Sequence, residues 1–317
     1  MIKSHFNLII DSGAYSIKTF NLKNKKVATS MEEYLDNYIE FCLLNKDQVS
    51  YFVNLDVIPI DSWSNPIKSH AVLSAEEGWN NYWYMVNKGV PQEKLIHVFH
   101  RDEPMDILAK MVEAMPYIGL SPGRRRKINQ KIPWLDNCMR IICDRKGYPK
   151  VKFHGFAVTS LHLIKRYPWY SVDSTSWSAF GRHGTILVPA RKNSSWRYDL
   201  SSWTLGVTKR SPFVSKELQH YKNLTPNNKK IVDQYLDEKG YVMGISEIVP
   251  VDSDYALKRG ESWYEKGVSI ERVVEKGVSN DNALRNELNI IFYQDLATTQ
   301  PEWPWPFKHK KRKKFFS

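Results

Sequence analysis

Two aspartates carry the chemistry that this sequence offers. Asp11 follows the apolar run at residues 8–10 and opens the turn Asp11-Ser-Gly-Ala-Tyr-Ser16. A carboxylate where a buried strand meets a glycine turn suits packing poorly. Burial disfavours its charged form, so it needs partners or a task. Asp173 ends a second short run at 169–173, and the rest of the chain is expected to bring it opposite Asp11. Two carboxylates held close push their proton affinities apart, which suits one ionised and one proton-carrying group. A helix N-cap or a surface turn would also explain an aspartate in Val-Asp-Ser-Thr-Ser.

The elements that would position these groups alternate along residues 1–190. Apolar runs at 8–10, 51–56, 95–100, 117–121, 151–158 and 169–173 predict strands. Helical spacing predicts helices at 31–44, 74–86, 104–115, 123–145 and 160–166. Ser74 and Glu77 have the spacing of a capping box. Strands alternating with helices make βαβ units and a parallel sheet. Polar or special residues stand at the C-terminal strand ends: Asp11, Asp56, His100, Gly119-Leu120-Ser121, His154-Gly155 and Asp173. That edge carries the active site in an α/β barrel, and also in a doubly wound sheet. No Gly-x-Gly-x-x-Gly or Walker A pattern follows any of these strands, so dinucleotide and nucleoside-triphosphate readings are weak. The expected organisation is an α/β barrel domain over 1–190, a mainly helical extension over 191–307 and a basic tail over 308–317. Residues 185–188 read as one more strand just before the extension, and within it 191–212 reads as irregular and 213–221, 229–238 and 280–296 as helices. Pro301-Glu-Trp-Pro-Trp-Pro306 predicts a rigid extended segment.

Composition sets the bounds. The chain has 317 residues, of which 42% are hydrophobic, enough for a substantial core. Its net charge of +12 favours a polyanionic partner without identifying one. The three cysteines, Cys42, Cys138 and Cys143, form no Cys-x-x-Cys pair. Their number and spacing argue against a structural zinc site and for a reducing, cytoplasmic location. No apolar stretch approaches membrane-spanning length, and residues 1–30 show no secretory h-region.

Taken in order, the motifs resemble those of the tRNA-guanine transglycosylase superfamily. Asp11-Ser-Gly-Ala-Tyr-Ser16 resembles its Asp-Ser-Gly-Gly-Tyr/Phe-Gln. Leu55-Asp56 resembles its Phe-Asp-Glu-Cys, Val98-Phe-His100 its Val-Gln-Gly, and Ile118-Gly-Leu120 its Gly-Gly-Leu. Phe153-His-Gly-Phe156 and Tyr170-Ser-Val-Asp-Ser174 look like Met-Gly-Val-Gly followed, after a helix, by Asp-Met-Phe-Asp-Cys. Gly181-Arg-His-Gly184 echoes Gly-Arg-Asn-Gly. Two features depart from the pattern. The zinc-binding cysteines are missing, and residues 1–7 leave no room for the first two barrel strands. Segments 185–188 and 241–248 would have to fill that gap, or the barrel is incomplete. Short, basic, zinc-free relatives resemble the phage and bacterial DNA 7-deazaguanine transglycosylases.

That resemblance implies a TIM-type (β/α)8 barrel, complete with atypical strands or incomplete, and the exchange of guanine in DNA for a 7-deazaguanine such as the 7-cyano form. It implies Asp173 as nucleophile, capturing the sugar at C1′, with Asp11 as acid/base partner ~5 Å away, as in a retaining glycosidase. Asp56 would read a guanine-like edge, accepting N1–H and 2-amino protons that adenine lacks; an Asx-turn before Pro59 is the plainer role. His100, where the family has Gln, can donate to O6 or N7, or be structural. The backbone of Gly119 and Leu120 would approach O6, Tyr15 would stack on the base, Ser12 would hold the base or the nucleophile, and His154 and Gly155 would wall the pocket. Arg124, Arg125, Arg126 and Lys127, together with Arg182, Lys310, Lys311 and Arg312, are the expected phosphate contacts. Trp177, Trp196 and Trp203 would stack exposed bases or pack. The expected partners are double-stranded DNA, with tRNA as the alternative, and a free 7-deazaguanine. No cofactor, metal or membrane is expected. A barrel that binds nucleic acid without catalysis, or one whose intermediate water resolves, remains open.

Overall fold

A computed structural model describes residues 7–14, 30–57, 68–123, 127–158, 160–209, 211 and 219–308. By contacts the chain divides into two units, residues 1–174 with 301–317, and residues 175–300.

The first unit is built on one six-stranded parallel sheet, curled into a half-barrel. Its strands are β1 (Ile9–Ile10), β2 (Tyr51–Val53), β3 (Leu95–His100), β4 (Tyr117–Ser121), β5 (Lys152–Gly155) and β6 (Ser171–Val172). Their order in space is their order in the chain. Helices α1 (Met31–Asn45), α2 (Lys68–Asn87), α3 (Met105–Ala114), α4 (Ile128–Ile142) and α5 (Leu161–Arg166) make the crossovers. All six residues of β3 are buried, as befits a parallel strand covered on both faces. In α1 the Ser30 hydroxyl caps the first turn by accepting the Glu33 N–H at 3.1 Å. Leu35, Tyr38, Ile39 and Cys42 then fall on one buried stripe. The Tyr38 hydroxyl donates to the Val53 carbonyl at 2.8 Å and ties that stripe to the end of β2. The segment after residue 300 returns here. The Phe307 N–H donates to the Gly147 carbonyl at 2.9 Å, and its ring stacks on Tyr167.

Helix α2 begins six residues before the expected N-cap. Ser74 lies inside it, buried between Ala71 and Ala75, so the Ser-x-x-Glu spacing there caps nothing. Ala71 and Ala75, one turn apart and both buried, carry the packed face of the helix upstream of Ser74.

The second unit departs further from expectation. It holds α6 (Ser176–Arg182), β7 (Thr185–Val188), β8 (Ala190–Lys192), β9 (Ser195–Arg197), β10 (Trp203–Gly206), β11 (Gln219–His220), α7 (Pro226–Glu238), β12 (Ile245–Pro250), β13 (Glu261–Glu265), β14 (Ser269–Glu275) and α8 (Asn282–Thr298). The expected mainly helical extension is therefore a mixed α/β unit starting near residue 175, not 191. Segment 191–212, expected to be irregular, contains two hairpin strands and β10. Of the helix expected at 213–221, only 219–221 is described, and it is β11 leading into a 3-10 turn. Neither proposed barrel-filling segment joins the six-stranded sheet. β7 pairs with β10, and β12 with β14. Strands three or four residues long carry too little periodicity to announce themselves. Trp196 and Trp203 pack on this unit's own core, Trp196 at 5.2 Å from the Tyr235 ring. Among the described residues, no helix is long and apolar enough to cross a membrane.

Candidate active site

Asp173 follows β6 at the C-terminal edge of the sheet, with 55% of its side chain exposed. The Ala157 N–H donates to its Oδ1 at 2.6 Å, and His154 Nε2 lies 3.5 Å from the same oxygen. Ala157 is in the left-handed region, at φ 52°. That conformation is costly for a residue with a Cβ. It turns the peptide N–H after β5 toward the carboxylate. His154 is buried, and its other nitrogen, Nδ1, is 2.6 Å from the Ser171 hydroxyl. Ser171 in turn meets the Tyr117 hydroxyl at 2.5 Å. A chain of polar groups thus runs through the sheet interior and fixes the ring that faces Asp173. Burial works to raise the proton affinity of Asp173. The hydrogen bonds from His154 and Ala157 outweigh it, and the carboxyl lies below the ordinary aspartate range.

Asp11 shows the opposite balance. It follows β1 at the same edge, where Gly13 takes φ 77°, a turn that a side chain would resist. Burial raises its proton affinity, and the negative charges of Asp56 and then Asp173 raise it further. The backbone N–H groups of Gly13 and Ser12 act against this without reversing it. Three carboxylates from β1, β2 and β6 therefore share one electrostatic field.

Asp56, just beyond β2, is buried, and its Oδ2 is 2.6 Å from His100 Nε2. The His100 N–H donates to Glu103 Oε2 at 3.0 Å. Behind them, Asn54 bridges the Gly78 carbonyl and His97 Nδ1. Burial pushes His97 down to about 3, so it stays neutral and can accept from Asn54.

The sheet edge brings together Asp11, Ser12, Asp56, His100, His154, Gly155 and Asp173. Among the described residues the buried Ser12 hydroxyl has no hydrogen-bond partner, a polar atom left for something else to meet. His100 takes the structural one of its two expected roles, presenting Nε2 to Asp56. Two other residues take positions that differ from the expected ones. At Gly119 an added Cβ would lie 2.3 Å from the Phe156 ring, so the bare backbone accommodates that ring. Leu120 is buried in the core, and its carbonyl accepts the Phe156 N–H at 3.0 Å. Lys127 precedes α4, exposed, and Arg182 ends α6 in the second unit, also exposed. Tyr15, Arg124, Arg125, Arg126, Lys310, Lys311 and Arg312 lie outside the described residues.

Sequence reasoning passed over Ala157, Ser171, Tyr117 and Glu103. Glu103 alone left a trace, an acidic residue three positions after a strand-end histidine. It is 6% exposed, and burial lifts it to about 7. In the unfolded chain it ionises near 4.5. Between those values the folded state binds the extra proton, so stability falls as pH rises from about 4.5 to 7. Glu103→Gln keeps an acceptor for the His100 N–H and removes the titration. It is expected to be more stable than wild type at pH 8, by roughly 2 kcal/mol, and not at pH 4.5. Urea melts at the two pH values check this, and equal pH dependence would contradict it.

Comparison with protein-family models returned no match, and no curated protein matches the sequence.

Proposed function

We propose that the chain is a base-exchanging transglycosylase that replaces guanine in DNA with a 7-deazaguanine through a covalent Asp173–deoxyribose intermediate. One observation carries this reading. Two aspartates at one sheet edge have proton affinities shifted in opposite directions, Asp173 down and Asp11 up. A nucleophile must be ionised, and an acid must hold its proton. The six-stranded half-barrel supports a TIM-type barrel in incomplete form, and the ordered motif resemblance supports the reaction class.

The steps balance as follows. A carboxylate oxygen of Asp173 bonds to C1′ while the C1′–N9 bond breaks, and the electron pair goes to the departing base. Asp11 gives that base its proton. The incoming base then loses its N9 proton to Asp11. Its N9 displaces the Asp173 oxygen from C1′, and both carboxyls return to their starting states. The positive charge that develops on the sugar is what the ionised Asp173 stabilises. Asp56, held through Oδ2 by His100, keeps acceptor capacity for a guanine-like edge. Because one glycosidic bond replaces another, no external energy source is required.

The test is incorporation of labelled 7-cyano-7-deazaguanine, with duplex DNA and unmodified tRNA assayed side by side. Label in DNA alone is the expected result. Label in tRNA alone would move the substrate to RNA and leave the steps above unchanged. Label in neither would overturn the proposal.

A further inference from the structure

Arg101 is half-buried and Lys131 buried, and among the described residues neither forms an ion pair. Arg101 directly follows β3, two residues beyond Phe99, whose ring stacks on Trp134 of α4 at 5.9 Å with planes 5° apart. Lys131 lies one turn before Trp134 on the same helix. Among the described residues, Arg101 Nη1 and Trp134 Nε1 are buried donors without acceptors. Lys131 is 8% exposed, and among the described residues its ammonium has no ion pair or hydrogen bond. Burial lowers its proton affinity, and the positive charge of Arg101 lowers it further. Its place in the first turn of α4 adds the positive end of the helix dipole, where a cation is disfavoured.

Unpaired buried charges of like sign are costly. Every local contribution here is unfavourable to a cation and favourable to an anion. Guanidinium, ammonium and indole N–H groups at a helix N-terminus are the donor set that holds a phosphate. We propose that Arg101 and Lys131 form a phosphate subsite at the strand edge that carries His100 and Asp56, occupied by a backbone phosphate of the nucleic-acid substrate. The carrier of the phosphate rests on the function proposed above; the anion site rests on the donors alone.

The test uses the full chain as wild type, Lys131→Met and Arg101→Gln. Lys131→Met keeps the buried stem and removes the charge, so without phosphate it is expected to melt no lower than wild type. Inorganic phosphate is expected to raise the melting temperature of wild type and of neither variant. For a duplex oligonucleotide, the slope of log affinity against log salt is expected to be shallower by about 0.9 in each variant, the value for one lost phosphate contact. Phosphate stabilisation confined to wild type, with unchanged DNA slopes, would overturn the nucleic-acid assignment and leave a free-phosphate site. No differential stabilisation and no change of slope would overturn the proposal altogether. If the slopes fall as expected while wild type exchanges no base, the subsite stands and the transglycosylase reading fails.

Discussion

Asp173→Asn is expected to abolish base release and base exchange, lowering the rate by at least about 10³-fold. An amide oxygen is a poor nucleophile toward C1′ and forms no stable ester with the sugar. The substitution is isosteric, and the new side-chain oxygen can still accept the Ala157 N–H. The side chain is more than half exposed, so the melting temperature is expected to stay close to that of wild type. Chemistry lost without stability lost separates this outcome from unfolding. Exchange at the wild-type rate would remove Asp173 from the mechanism.

Asp11→Asn is expected to cost about 10²- to 10⁴-fold in the release of guanine, the usual worth of a positioned proton donor. The pH profile carries the finer test. Guanine departure needs protonated Asp11, so kcat/KM for DNA falls as pH rises through the proton affinity of that group. Burial, then Asp56, then Asp173 raise that affinity, which places the falling limb above the ordinary aspartate range. Asp56→Asn removes the larger of the two neighbouring negative charges, so the limb moves to lower pH. In Asp11→Asn the limb disappears. A limb that stays fixed in both variants would show that another group supplies the proton.

The strand edge was legible because its signals are local. A charged residue that ends an apolar run marks both a strand and its C-terminal end, as Asp11 and Asp56 do. β3, β4 and β7 have the bounds that their apolar runs predict. The supporting contacts were not legible, because they are not local. His154 and Ser171 are 17 residues apart, and Ser171 and Tyr117 are 54 apart. Their meeting depends on β4, β5 and β6 lying side by side, which single-sequence periodicity does not fix. Ala157 leaves no trace at all. Its left-handed backbone is enforced by the turn after β5, and alanine carries none of the conformational signal that glycine gives at Gly13. The second unit escaped for another reason. β13 and β14 are exposed along much of their length and rich in Glu, so their alternation does not separate apolar from polar residues.

The central claim is that Asp173 becomes covalently joined to deoxyribose. The most direct measurement incubates wild-type protein with duplex DNA, denatures it, and locates the adduct by mass spectrometry of the protein's peptides. A deoxyribose-linked adduct on the peptide containing Asp173, absent from Asp173→Asn, is the result this mechanism requires. Base exchange without any such adduct, or with the adduct on Asp11, would contradict it.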